Sequence, residues 1–204
     1  MYLTKLIIPL ENRKAAEALG DCQKMHRLVC SVFSAGRDEE NLLYRVNVVH
    51  GSIQIYSYSE HRAVKLPDGV HLAGQRDMSE WLETLSEGNC MGFDLLVSPS
   101  KKVYQPEMGK NSQRRILRNP TDRLNWLNRK AEQNGFRILD VREVSHEHSY
   151  GRHVGEKGGA LHIDAYHYQG SLRVADEELF RKAVQVGIGP GKAYGLGMMM
   201  VKSL

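Results

Sequence analysis

The chain has 204 residues, room for one large domain or two small ones, with 41% hydrophobic and 25% charged residues and a formal net charge of +4. That balance excludes a disordered or low-complexity protein. It leans weakly towards an acidic partner. The apolar part of the opening MYLTKLIIPL is too short to span a membrane, and no cleavage pattern follows it, so no membrane association and a cytoplasmic location are expected.

In chain order, Tyr2 to Pro9 reads as a strand ended by proline. Asp21 is placed to cap a helix running to about Ser34, with Met25, Leu28, Val29 and Val32 at helical spacing. Leu42–Val49 and Ser52–Tyr58 flank His50-Gly51 as a hairpin. Residues 60–69 are a polar connection, a short strand lies near residues 70–72, and residues 79–85 form one or two helical turns. Met91–Ser98 is a strand stopped at Pro99. Asn119-Pro120-Thr121 starts a helix that reaches Asn134 and stops at Gly135. Phe136–Val144 and Leu161–Tyr168 are strands around a polar loop. A helix over 176–186 and a strand over 198–201 follow.

The second half therefore reads strand, helix, strand, strand, helix, strand. The first half begins the same way and ends with a weaker helix and strand. This is the ferredoxin-like βαββαβ pattern written twice, an α+β fold with antiparallel sheets. The expected domains are 1–88 and 89–204.

Four segments carry candidate chemistry. Gly187-Ile-Gly-Pro-Gly-Lys-Ala-Tyr-Gly-Leu-Gly197 sets five glycines around Lys192. It is not a nucleotide P-loop, because Val186 stands where the first glycine belongs and Ala193 where Ser or Thr should follow the lysine. A backbone clamp for nucleic acid and a structural turn both remain. Lys101, Lys102, Lys110, Arg114, Arg115 and Arg118 oppose only Glu107, a net +5 in a long connection. Such a basic stretch suits phosphate contact, and Arg123, Arg129 and Lys130 extend it along the next helix. The loop over 145–157 holds His146, His148 and His153, but the spacing matches no familiar zinc pattern and no cysteine joins them. No metal is expected there. Arg152 and Lys157, with Tyr150 available to stack, suit RNA. Finally, His26 lies on the first helix between Lys24 and Arg27, in a locally positive setting.

These residues resemble the CasE family of CRISPR-associated endoribonucleases, which process precursor CRISPR RNA in type I-E systems. The likeness runs end to end. It rests on the MYLTKL opening, Met25-His26-Arg27-Leu28, Phe93-Asp-Leu-Leu-Val-Ser-Pro99 with Lys101, Trp126-Leu127, Gly135-Phe136-Arg137, Gly170-Ser-Leu-Arg-Val174 and the terminal glycine segment. The resemblance implies tandem ferredoxin-like domains. It implies metal-independent, cofactor-free cleavage of a repeat stem-loop on its 3′ side, leaving a cyclic phosphate. It also implies that the product is retained with other Cascade subunits. His26 is the catalytic residue so implied. Lys24, Arg27, Lys101, Lys102, Arg114, Arg115, Arg118, Arg152, Lys157 and Lys192 are the RNA-binding candidates. The sequence departs from some family members in having Gln23 where they carry tyrosine. Glutamine donates hydrogen bonds but transfers no proton at neutral pH. A subunit that binds repeat RNA and cuts weakly or not at all is therefore the alternative, with a metal-dependent hydrolase behind it.

Overall fold

A computed structural model describes residues 1–103, 113–152 and 159–204. The elements are β1 (Tyr2–Pro9), α1 (Arg13–Leu19), α2 (Cys22–Cys30), β2 (Leu43–Val49), β3 (Ser52–Ser59), β4 (His71–Asp77), α3 (Ser79–Glu83), β5 (Cys90–Val97), β6 (Ser100–Val103), β7 (Gln113–Ile116), α4 (Pro120–Gln133), β8 (Phe136–Arg152), β9 (Ala160–Val174), α5 (Glu177–Val186), a 3-10 turn (Lys192–Tyr194) and β10 (Met199–Ser203). Two four-stranded sheets run in the orders β2-β3-β1-β4 and β10-β5-β9-β8, and every pairing in them is antiparallel. Each is the ferredoxin-like order, with the first and third strands of the unit at the centre. The fold class expected from the element pattern is the one observed.

Local chemistry explains the framework. His50 and Gly51 both have positive φ (47° and 74°), the backbone a two-residue I′ hairpin turn requires. Asn119 caps α4 through its side chain to the Thr121 amide, with Pro120 in the first turn. In the first unit, Leu6, Ile8, Ile53 and Ile55 of the sheet pack against Ala15, Ala18, Met25 and Val29 of α1 and α2. In the second, Phe93, Leu95 and Val97 of β5 pack against Trp126 and Leu127 of α4 and Phe180 and Val184 of α5. A third cluster joins Cys22 of α2 to Leu96, Ile163, Ala165 and Leu196, so the first helix pair rests on the other face of the second sheet.

Four expectations need correction. Helix α1 was not expected, because its buried face is only Ala15 and Ala18, too small to mark a periodicity. Helix α2 ends at Cys30, short of Ser34, and the Val32 carbonyl accepts from the Val64 and Lys65 amides. The strand near 70–72 and the helical turns over 79–85 are present as β4 and α3, but the first unit lacks the helix that the βαββαβ pattern sets before its last strand: residues 60–70 hold none, and α3 follows β4. The expected polar loop begins as strand, since β8 continues through residues 145–152 against β9, and residues 153–157 lie outside the described residues. Alternating exposed polar side chains hid that extension. Among the described residues, no helix is long and apolar enough to cross a membrane.

Candidate RNA-cleavage site

Helix α2 starts at Asp21, whose carboxylate accepts from the Gln23 and Lys24 amides at 2.8 and 3.1 Å. Its buried face is Cys22, Met25 and Val29. His26 stands at the edge of that face, half-buried, and turns towards the C-terminal glycine segment. Its ring lies 6.2 Å from the Tyr194 ring in an edge-on arrangement. The Cys30 Sγ is 3.6 Å from Nδ1 and 3.8 Å from Nε2, near-equal distances that make a packing contact with no directed bond to either nitrogen.

The imidazole pKa is lowered from its ordinary value. Burial is the main cause, and the Arg37 and Arg27 cations add to it. The Ala193 carbonyl acts in the opposite direction. That carbonyl is held in place by the buried Tyr44 hydroxyl, which donates to it at 2.8 Å. At neutral pH the ring is thus uncharged and able to accept a proton.

The glycine segment is wound tightly enough to require its glycines. Gly187, Gly189, Gly191, Gly195 and Gly197 all have positive φ. A Cβ at Gly187 would fall 2.8 Å from Leu43 and 2.9 Å from the Gly197 carbonyl, and one at Gly195 would fall 3.2 Å from Tyr44. The structural-turn reading accounts for these glycines. The glycines shape a compact turn in which Lys192 lines a groove and Ala193–Tyr194 adjoin His26. The Lys192 pKa is lowered by burial and then by Arg37 and Lys130.

The Lys192 groove has a volume of about 690 Å³. Lys101, Lys102, Arg114, Arg129, Lys130 and Lys192 line it, with no carboxylate lining it among the described residues. The expected long connection contributes a two-stranded hairpin, β6–β7, with Lys101 opposite Arg115 and Lys102 opposite Arg114. Like charges facing each other in this way repel, and an anion between them would relieve that repulsion.

Other candidates fall elsewhere. Lys24 is paired with Glu17 of α1 at 3.4 Å. Arg27 is exposed, and its Nε donates to the Gln23 carbonyl at 3.4 Å. Arg115 and Arg152 are exposed, on β7 and at the end of β8. Arg118 lines a separate hollow with His146, His148 and His162. Arg123 does not extend the patch: it is buried, doubly bonded to Glu143 at 2.7 and 2.9 Å, and lies over Tyr166. Lys110, His153 and Lys157 lie outside the described residues.

Three residues escaped the sequence reading. Arg37 acts on both His26 and Lys192, yet it sits in a polar connection between α2 and β2 with no motif around it. Its Nε is buried without a hydrogen-bond partner among the described residues. Tyr194 and Cys30 flank the His26 ring; Tyr194 was in view only as part of the glycine segment. Tyr150, expected to be available for stacking on RNA, stacks on His162, and its neighbour Ser149 faces Cys22.

Known proteins share this chain's sequence and fold over its whole length. The CRISPR-associated endoribonuclease Cse3 of Thermus thermophilus is 27% identical, over 98% of this chain and 99% of that protein. A structure of Cse3 bound to a 19-nucleotide RNA superposes with a TM-score of 0.84 at 27% identity, covering 99% of this chain and 100% of the other. A crystal structure of Cas6e from Escherichia coli K-12 shares the fold, with a TM-score of 0.77 at 24% identity over the whole of both chains. The family model for CRISPR associated protein matches residues 1–203, and the chain belongs to that family.

Proposed function

We propose that this protein is an endoribonuclease that cuts CRISPR repeat RNA beside a stem-loop, with His26 as its proton-transfer residue. One observation carries the reading. The neutral, half-buried imidazole of His26 and the six-cation groove adjoin one 3-10 turn, His26 through Ala193 and Tyr194 and the groove through Lys192. An RNA stem held in the groove would bring its 3′ flank over the turn to His26. The whole-length likeness to an endoribonuclease supports the same class of reaction.

In this reading a ribose 2′-hydroxyl attacks the adjacent phosphorus, and the 5′-oxygen leaves. The products are a 2′,3′-cyclic phosphate and a 5′-hydroxyl. His26, uncharged at pH 7, takes the 2′-hydroxyl proton. Charge accumulating on the phosphorane oxygens is met by Arg37 and Lys192. Gln23 supplies no proton, and the leaving oxygen is protonated by another group or by water. The cleaved stem-loop stays in the groove, and the protein joins the Cascade complex with it.

Incubation with a repeat hairpin tests the reaction class. Cleavage is expected to persist in EDTA, to leave a cyclic phosphate, and to stop when the scissile nucleotide is 2′-deoxy. A product formed from the 2′-deoxy substrate would exclude the mechanism. A hairpin that is bound but never cut would leave the binding-only alternative that Gln23 favours.

The pH profile has a definite sign. A base works only when unprotonated, and the His26 pKa lies below the usual 6.5. The single-turnover rate should therefore be flat through neutral pH and fall only in acid, below the range of an ordinary histidine. Replacing Arg37 with Ala removes a cation that disfavours imidazolium. Its acid limb should move to higher pH, with the plateau lowered about tenfold or more by loss of charge stabilisation. An unmoved acid limb would separate Arg37 from the site.

A further inference from the structure

The hairpin β8–β9 bears a cluster that RNA cleavage does not use. His146 and His148 are two residues apart on β8, as are His162 and Asp164 on β9, so each pair shares a face of its strand. His148 stands opposite Asp164 in the register, and Tyr150 opposite His162. Asp164 Oδ1 is 2.8 Å from His148 Nδ1, 3.2 Å from His146 Nε2 and 3.9 Å from His162 Nε2. The ligating atoms of His146, His148 and Asp164 all lie within 4.8 Å of one another.

These distances suit one cation. With bonds of 2.0–2.1 Å, ligands around a tetrahedral ion stand about 3.3 Å apart. Small side-chain shifts would admit the ion, and His162 is near enough to take the fourth position. The rings are already braced. His146 stacks on Tyr166 at 4.2 Å and 6°, Tyr166 lies under Arg123, and Arg123 is held by Glu143. His162 stacks on Tyr150 at 4.8 Å and 4°. Pre-set ring orientations are what a metal site needs from its surroundings. Imidazoles with a single carboxylate select zinc-like transition ions over magnesium or calcium. Asp164 is only 20% exposed while the histidines are 40–50% exposed, so the site is sheltered below and open to entry. Arg118 lines the same hollow and opposes the ion, and Asp164 offsets it.

We propose that His146, His148 and Asp164 bind one divalent transition ion of the zinc class, with His162 closing the site. The ion would clamp β8 to β9. On the opposite face of this hairpin Ser149 meets Cys22, and Gly151 packs so closely on α2 that a Cβ there would lie 2.8 Å from Cys22 Sγ. A clamp at this point would steady the base of the helix that carries His26 without touching the reacting atoms.

The test uses the untagged full chain, stripped with chelator and then freed of it. Cobalt(II) should bind at one equivalent with the visible bands of a four-coordinate site and no thiolate charge-transfer band. Zinc, measured by competition with a chromophoric chelator, should bind with the same stoichiometry and raise the melting temperature. His148→Ala and Asp164→Asn should each weaken zinc at least about tenfold, while His71→Ala on the exposed strand β4 should not. No saturable binding, a thiolate band in the cobalt spectrum, or unchanged affinity in both variants would overturn the proposal. The cluster would then be a set of imidazole–carboxylate pairs.

Discussion

His26→Ala should lower the single-turnover rate of repeat-RNA cleavage by about 10²- to 10⁴-fold, the usual worth of one positioned proton-transfer group. RNA affinity should change by less than about twofold. The split follows from where the side chain sits. The imidazole packs against Cys30 and Tyr194 and is not among the described residues that line the cationic groove. Removing it leaves the phosphate contacts intact and takes away only the base. The ring is half-buried at the edge of α2, outside the Met25 and Val29 core, so the melting temperature should move little. Rate and binding measured on one preparation separate the possibilities. Full activity in the variant would remove His26 from the chemistry. Equal losses in rate and affinity would make it a binding residue.

The parts of this arrangement that were legible in the sequence share a physical cause. Strands β1, β2, β3 and β5 carry strong apolar runs bounded by turn residues, and α4 carries both of its end signals, Asn119-Pro120 and Gly135. Two such element patterns in tandem were enough for the fold. What stayed hidden depended on contacts between distant segments. The polar strand ends of β8 and β9 pair with each other, so their alternation alone looked like a loop. His162 and Asp164, unremarkable in sequence, become neighbours of His146 and His148 only through that register. Arg37 reaches His26 and Lys192 from a connection without any periodicity. Arg123 was read as part of a basic surface because charge is visible in a sequence and burial is not; its ion pair with Glu143 ties α4 to β8. The glycine segment is the informative case. Its composition raised a choice between turn and ligand loop, and the close approaches of Leu43 and Tyr44 show that forming the turn is how Lys192 and the Ala193 carbonyl are presented.

Replacing Lys101, Lys102, Arg114 and Lys130 together with Ala should weaken repeat-RNA binding by about 10²-fold near 0.1 M salt and flatten its salt dependence. Each phosphate neutralised by a cation releases counterions, so losing four contacts should make the slope of log affinity against log salt shallower by about 3. The four side chains line one groove, and among the described residues none of them is ion-paired to a carboxylate there. Folding should respond in the opposite direction. Lys102 faces Arg114 across the β6–β7 hairpin and Lys101 faces Arg115, so the substitutions relieve like-charge repulsion, and the melting temperature should hold or rise. Weaker binding with an unshifted or raised melting temperature cannot be blamed on misfolding. At saturating RNA the cleavage rate should recover towards that of the unmodified protein, because His26, Arg37 and Lys192 remain. A salt slope that does not change would mean that the stem is held elsewhere, and the groove would lose its role. A rate that stays low at saturation would mean instead that these cations set the position of the scissile phosphate over His26. Binding and catalysis would then be one function of the groove.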